Sequence, residues 1–172
     1  GSGDNLEVSG GTIKLDGYFP VSGVGVYNVA LGKDALDSLT TGSSNVAVGG
    51  LAGKDLTIQS QNVFMGNHAG HYVASAVDET GDNNTFIGTQ VGMGASGTNT
   101  ATDNAAVGSC SLEDITSGSY NSFLGRNAGR LLTEGLYNVG VGLSVGNQLT
   151  TGDGNVFIGS RSGEGVVAGE YN

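Results

Sequence analysis

The chain has 172 residues, a formal net charge of −10 and 33 glycines, with one proline, one cysteine and no tryptophan. A chain this acidic disfavours nucleic acid as a partner, because phosphate binding needs a positive surface. The single cysteine, Cys110, excludes an intrachain disulfide. A glycine content this high is typical either of low-complexity sequence or of a repeat fold with many tight turns, and the positions of the glycines decide between them.

Residues 1–22 predict a lead-in segment. Gly1-Ser2 is typical of a cloning remnant, and no signal peptide, transmembrane run or lipidation signal is recognisable in the sequence. Apolar residues then alternate with polar ones on both sides of Gly10-Gly11, at Leu6, Val8, Ile13, Leu15 and Tyr18. This pattern predicts a hairpin that caps the open edge of the domain that follows.

Residues 23–172 are built from one repeated unit, in which an Asn is followed four residues later by a Gly. The eight copies read NVALG, NVAVG, NVFMG, NTFIG, NAAVG, NSFLG, NVGVG and NVFIG, and their Asn residues are 17, 17, 22, 20, 17, 17 and 17 positions apart. Asn172 lies 17 residues after Asn155 and begins a ninth copy. We therefore expect the chain to be a fragment of a longer repeat protein.

Each unit predicts one coil of a β-solenoid. The Val-Phe-Ile run is a short strand bounded by Asn and Gly, and a Leu-Thr or Ile-Thr pair predicts a second, shorter strand. No segment carries a sustained helical period, so the expected fold is all-β, with about eight 17-residue coils and two strands in each. Coils stack at roughly 4.8 Å, which gives a rod about 40 Å long. We expect Gly66 and Gly125 to hold backbone conformations that disfavour a Cβ atom.

The recurrent Asn has two possible roles. Its side chain can stack into an amide ladder along one corner of the solenoid, or Asn can be used only because it tolerates left-handed backbone geometry. The sequence leaves both open.

The predicted first strand is apolar or small on both faces. Its middle position holds Phe in four copies, and its neighbours are mostly Val, Leu, Ile or Met. A coil interior can bury one face only, so the other face needs a partner, and the simplest partner is another copy of the chain. We expect a parallel homotrimer with the phenylalanines near the shared axis, namely Phe64, Phe86, Phe123 and Phe157. The alternative is a single chain wide enough to enclose both faces, although 17 residues leave little circumference.

The units NVAVGGLAGKDL, NSFLGRNAGRLLTEGLYN and NVFIGSRSG resemble the repeats of phage tail fibres and of trimeric autotransporter adhesin heads. The resemblance covers roughly residues 6–172. It implies a left-handed β-roll, three chains around one axis, and an extracellular location on a virion tail fibre or a bacterial surface. The chain departs from the family pattern in its insertions after Gly70 and after Gly92, and the adhesin unit is usually shorter.

The two longer loops, 71–83 and 93–103, are the predicted recognition surface, because extra length in a solenoid often projects from its binding face. The first loop offers an aromatic ring beside carboxylates, which suits a host-surface glycan. Its candidate ligand-binding residues are His71, Tyr72, Asp78, Glu79 and Asp82. The alternative is a surface insertion that is tolerated because lengthening a loop costs little entropy.

Catalytic and metal chemistry find little support in the sequence. A metal site at His68 and His71 would need further ligands, which Asp78, Glu79 and Asp82 in the following loop could supply. Residues 92–97 match G-x-G-x-x-G without a following helix, and we expect no metal, no cofactor and no catalytic residues. An adhesive fibre segment that binds a host glycan ranks first, a passive spacer second, and a polysaccharide-degrading fibre enzyme third. We expect no membrane insertion.

Overall fold

The computed structural model describes residue 25 and residues 27–73, 81–94 and 99–172. The predicted capping hairpin at 1–22 lies outside these residues. The described part of the chain is all-β, with eight strands of three residues and no helix. The strands are β1 (Val29–Leu31), β2 (Val46–Val48), β3 (Val63–Met65), β4 (Thr85–Ile87), β5 (Ala105–Val107), β6 (Ser122–Leu124), β7 (Val139–Val141) and β8 (Val156–Ile158).

The eight strands form one parallel sheet in the order β1 to β8, one strand from each coil. Each residue pairs with the equivalent residue of the next repeat, which confirms the predicted β-solenoid. The longer units keep this register, since Phe64 pairs with Phe86 and Phe86 pairs with Ala106. The extra residues therefore lie in the loops and leave the sheet unchanged.

The core of the solenoid is a column of apolar side chains that face into the coils. The middle residue of each strand from β2 to β8 is buried, and Phe64 stacks on Phe86 with ring centroids 5.5 Å apart. Leucine and isoleucine from the opposite side of the coil complete the core, namely Leu56, Ile115, Leu132 and Leu149. Stacking the coils buries these side chains, which one isolated coil would leave exposed to water.

The predicted face of the phenylalanines is wrong. Phe64, Phe86, Phe123 and Phe157 lie inside the coil of their own chain, and at most 5% of each is exposed. The outward face of the sheet carries the first and third strand residues instead. A ring as large as Phe fills the wide interior of a 17-residue coil, whereas the flanking residues alternate to the outside.

The prediction of two strands per coil is also wrong within the described residues, because the Leu-Thr segment forms no regular strand. Its backbone bonds to the next coil through one carbonyl group per coil, with hydrogen bonds from Thr116 N to Thr133 O at 3.0 Å and from Thr133 N to Thr150 O at 2.9 Å. Turns follow immediately, so no second ladder position is available. The leucines of the segment are nevertheless buried, at Leu132 and Leu149.

The asparagine ladder is confirmed. The Oδ1 atom of Asn121 accepts hydrogen bonds from the backbone N (2.9 Å) and the Nδ2 (3.1 Å) of Asn138 in the next coil. Its own Nδ2 donates to Asn104 Oδ1 at 3.1 Å and to Gly135 O at 2.8 Å. The same pattern runs from Asn28 to Asn172. Each ladder Asn thus joins its own coil to both of its neighbours.

Candidate interaction surfaces

The outward face of the sheet is an exposed apolar surface, which we call the outer stripe. It consists of the first and third residues of the strands, and none of the eight described strands contains a charged residue. Its exposed large members are Val29, Leu31, Met65, Val107, Leu124, Val139, Val141, Val156 and Ile158. A contiguous apolar strip of this length is characteristic of an interaction site.

A shallow groove of about 220 Å³ crosses the outer stripe in its C-terminal half. It forms where small residues, Ala105 and Ser122, occupy the first position of adjacent strands and leave space beside larger neighbours. Its remaining lining residues are Val107, Phe123, Leu124, Val139 and Val141. The groove is apolar and open, so it suits insertion of apolar side chains and offers few polar groups for a small molecule.

The two longer loops lie on adjacent levels of the solenoid. A parallel bridge joins Val73 of the first loop to Asn99 of the second. Of the candidate ligand-binding residues, His71 and Tyr72 lie together, with parallel rings 4.1 Å apart, and His68 lies 5.1 Å from His71. Asp78 and Glu79 fall outside the described residues.

His71 is a packed residue, and little of its ring is open to a ligand. Its side chain is buried and its Nδ1 atom has no hydrogen-bond partner. Burial lowers the pKa of His71 below its ordinary value of 6.5, although nearby Asp55 opposes this effect. The imidazole is therefore held in its neutral form.

Asp82 has a structural role in the turn before the ladder. Its Oδ1 atom accepts a hydrogen bond from Ser60 N of the neighbouring coil at 2.7 Å. Asp153 Oδ1 likewise accepts a hydrogen bond from Leu136 N at 2.7 Å, and Ser60 Oγ accepts one from Ser43 N at 3.0 Å. The side chain two positions before the ladder Asn therefore joins neighbouring coils, a role that the sequence interpretation missed.

A row of tyrosines at one corner of the solenoid was also missed. Each tyrosine directly precedes a ladder Asn, at Tyr27, Tyr120, Tyr137 and Tyr171. Tyr120 and Tyr137 stack with ring centroids 5.0 Å apart and planes at 8°. The dipeptide Tyr-Asn recurs four times in the sequence at one register, which is the signal that could have identified this surface.

Two further properties concern metals and membranes. Across residues 27–73, 81–94 and 99–172, no group of three or more His, Cys, Asp or Glu side chains could hold a metal ion. The same part of the chain includes no helix with the length and apolarity needed to span a bilayer.

Comparisons with protein-family models, with curated protein sequences and with solved structures returned no match to this chain. The class of the protein therefore rests on its own architecture, which is that of a parallel β-solenoid with one three-residue strand per coil.

Proposed function

We propose that this chain is a segment of an extracellular fibre, a tail fibre or a surface adhesin, in which three parallel copies associate through the outer stripe. Its role is structural and adhesive, and it catalyses no reaction. The observation that carries the proposal is the outer stripe itself, an apolar face that runs along the sheet and carries no charge.

The stripe alone is small for a stable interface. Eight strands at roughly 4.8 Å give a length of about 40 Å, and three residues give a width of about 10 Å. Its projected area is then about 400 Å², below the roughly 800 Å² per partner that a stable interface buries. Around a three-fold axis each chain contacts two others, so surface on both sides of the stripe is buried together with the stripe, and three chains bury more area per chain than two.

The repeat favours a second copy of this chain over an unrelated partner. Every coil presents apolar residues on the same outward face of the sheet, so a parallel copy in register meets apolar side chains in each coil. The net charge of −10 opposes association, but the strands carry none of it. The groove beside Ala105 and Ser122 gives a neighbouring chain a recess for its side chains.

Sedimentation equilibrium of the wild type and two matched variants tests the assembly. Leu124, on the outer stripe, is 52% exposed, and Leu143, in the turn after β7, is 48% exposed. We expect Leu124→Glu to dissociate the trimer at micromolar concentration and Leu143→Glu to leave it intact. A wild-type chain that sediments as a stable monomer would refute the proposal. A dimer would keep the interface and refute the three-fold arrangement.

A glycan-array screen of the assembled protein tests the adhesive role. Specific binding supports a recognition fibre. Absence of binding would favour a passive spacer, and release of product from a polysaccharide would overturn the non-catalytic assignment.

A further inference from the structure

We propose that the stacked pair Tyr120 and Tyr137 is a binding platform for an uncharged glycan. This inference rests on the proposed adhesive role and assigns it a location on the regular coils that follow the second longer loop. Tyr120 and Tyr137 are 50% and 60% exposed, so part of each side chain is open to solvent. We call this pair the tyrosine platform.

The backbone at this corner does not require tyrosine. Tyr120 and Tyr137 have φ values of 60° and 58°, a conformation that bulky residues rarely adopt. Other coils fill the same position with polar residues or glycine, namely Ser44, Gln61, Asn83, Asp103 and Gly154. Tyrosine here has a backbone cost that its ring stacking offsets only in part, so stability of the corner does not account for its presence.

The platform extends along the rod. Gly154 holds the corner of the coil after Tyr137 and places no side chain against that ring. Tyr171, one coil further, packs over this glycine, since a Cβ atom on Gly154 would lie 2.7 Å from the Tyr171 Cδ1. Aromatic surface thus continues across four successive coils.

The charge around the platform selects the ligand class. Asp103 occupies the same corner one coil before Tyr120 and is exposed, and Asp153 lies in the turn just before Gly154. The described lysines and arginines all lie five to nine residues after a ladder Asn, beyond the strand, at Lys33, Lys54, Arg126, Arg130 and Arg161. Carboxylates without nearby cations accept hydrogen bonds from sugar hydroxyls but repel sialic and uronic acids. The ligand is therefore a neutral pyranose, whose C–H face lies against the exposed part of a tyrosine ring.

An open platform of this kind binds a single sugar weakly. In a trimer three platforms lie at the same level of one rod, so a surface that presents many glycans is held by several contacts at once. Binding should consequently depend strongly on glycan density.

The test uses variants that the repeat itself suggests. Tyr120→Asn and Tyr137→Asn, made together, place at both corners the residue that naturally occupies position 83. We expect this double variant to assemble normally and to lose at least tenfold in binding to a dense array of neutral hexoses. Tyr27→Asn is the matched control, because Tyr27 occupies the same corner with a φ of 63° but is far along the rod from the platform. It should bind as the wild type does.

The outcomes separate the platform from the assembly. Binding by the wild type that is unchanged in the double variant would refute the platform, and so would equal binding of neutral and sialylated arrays. A wild-type trimer that binds no neutral hexose would also refute it while leaving the assembly proposal intact. A double variant that melts lower, still assembles below its melting temperature and binds like the wild type would show that the tyrosines serve stability alone. Tyr120→Phe with Tyr137→Phe keeps the rings and should retain most of the binding.

Discussion

The glycine that ends each strand offers a sharp test of how the coils are held together. Gly125 has a φ of +142°, and a Cβ atom added there would lie 2.2 Å from the carbonyl oxygen of Gly142 in the next coil. The equivalent Gly159, in the last complete unit, has a φ of +106° with nothing within 4 Å of such an atom. Replacing each with Ala therefore separates backbone strain from collision with the neighbouring coil.

The expected cost follows from the local contacts. Strain from positive φ contributes about 1–3 kcal/mol at either position. At Gly125 the next coil must also move by about 1 Å, which disrupts the hydrogen bonds from Gly142 N to Leu124 O at 2.9 Å and from Ser144 N to Arg126 O at 2.8 Å. Two such bonds add about 2 kcal/mol. We expect Gly125→Ala to lower the free energy of unfolding by about 3–5 kcal/mol and Gly159→Ala by about 1–3 kcal/mol.

Urea unfolding followed by far-ultraviolet circular dichroism measures both variants against the wild type. The difference between the two variants matters more than either value, because both carry the same loss of glycine flexibility in the unfolded chain. Equal losses of stability would show that the close approach of successive coils contributes nothing, and the reasoning would fail.

The ladder, the core and His71 each give one further expected outcome. Asn121→Ala removes four hydrogen bonds in the buried ladder and should lower the free energy of unfolding by about 3 kcal/mol or more. Asn67→Ala changes an exposed side chain and should lower it by under about 1 kcal/mol in the same urea titration. Phe123→Ala should lower the free energy of unfolding by about 3–5 kcal/mol. A Cβ atom on Gly140 would lie 2.4 Å from the Phe123 ring. Gly140→Ala should therefore destabilise the wild type but restore part of the stability that Phe123→Ala loses. Burial lowers the pKa of His71, so unfolding takes up a proton and stability falls as the pH drops below the ordinary value of 6.5. His71→Gln should flatten this part of a plot of melting temperature against pH. An unchanged slope would contradict the assignment.

Much of the fold could be predicted because the repeat specifies it locally. The Asn-to-Gly spacing placed all eight strands, and their in-register pairing follows from stacking equal units. The longer units could be recognised as loop insertions because the strand motif itself is unbroken at Asn84 and Asn104. The ladder was open on sequence grounds, since Asn also suits left-handed turns, and only the hydrogen bonds between coils decide the matter.

The face of each strand could not be predicted in the same way. With period-two alternation, a strand of three residues has one middle side chain and two flanking ones, and both sets are apolar here. Hydrophobicity therefore cannot distinguish interior from exterior. Volume could have done so, because the middle position holds either a large ring or a very small residue, and Phe123 beside Gly140 fills one interior space. Such compensation between neighbours is characteristic of a closed core.

The candidate ligand-binding residues of the first longer loop stay a prediction, because Asp78 and Glu79 fall outside the described residues. Two of its described residues have contacts within the chain, since His71 is buried against Tyr72 and Asp82 accepts a hydrogen bond from the neighbouring coil. Packing restricts which residues can occupy the inward-facing positions, and the proposed trimer assembly restricts those of the outer stripe. Neither restriction applies to the side chain directly before each ladder Asn, because that residue bonds to the neighbouring coil through its backbone N. Under the tyrosine-platform proposal, variation among polar residues, glycine and tyrosine at this corner changes which surface the solenoid recognises.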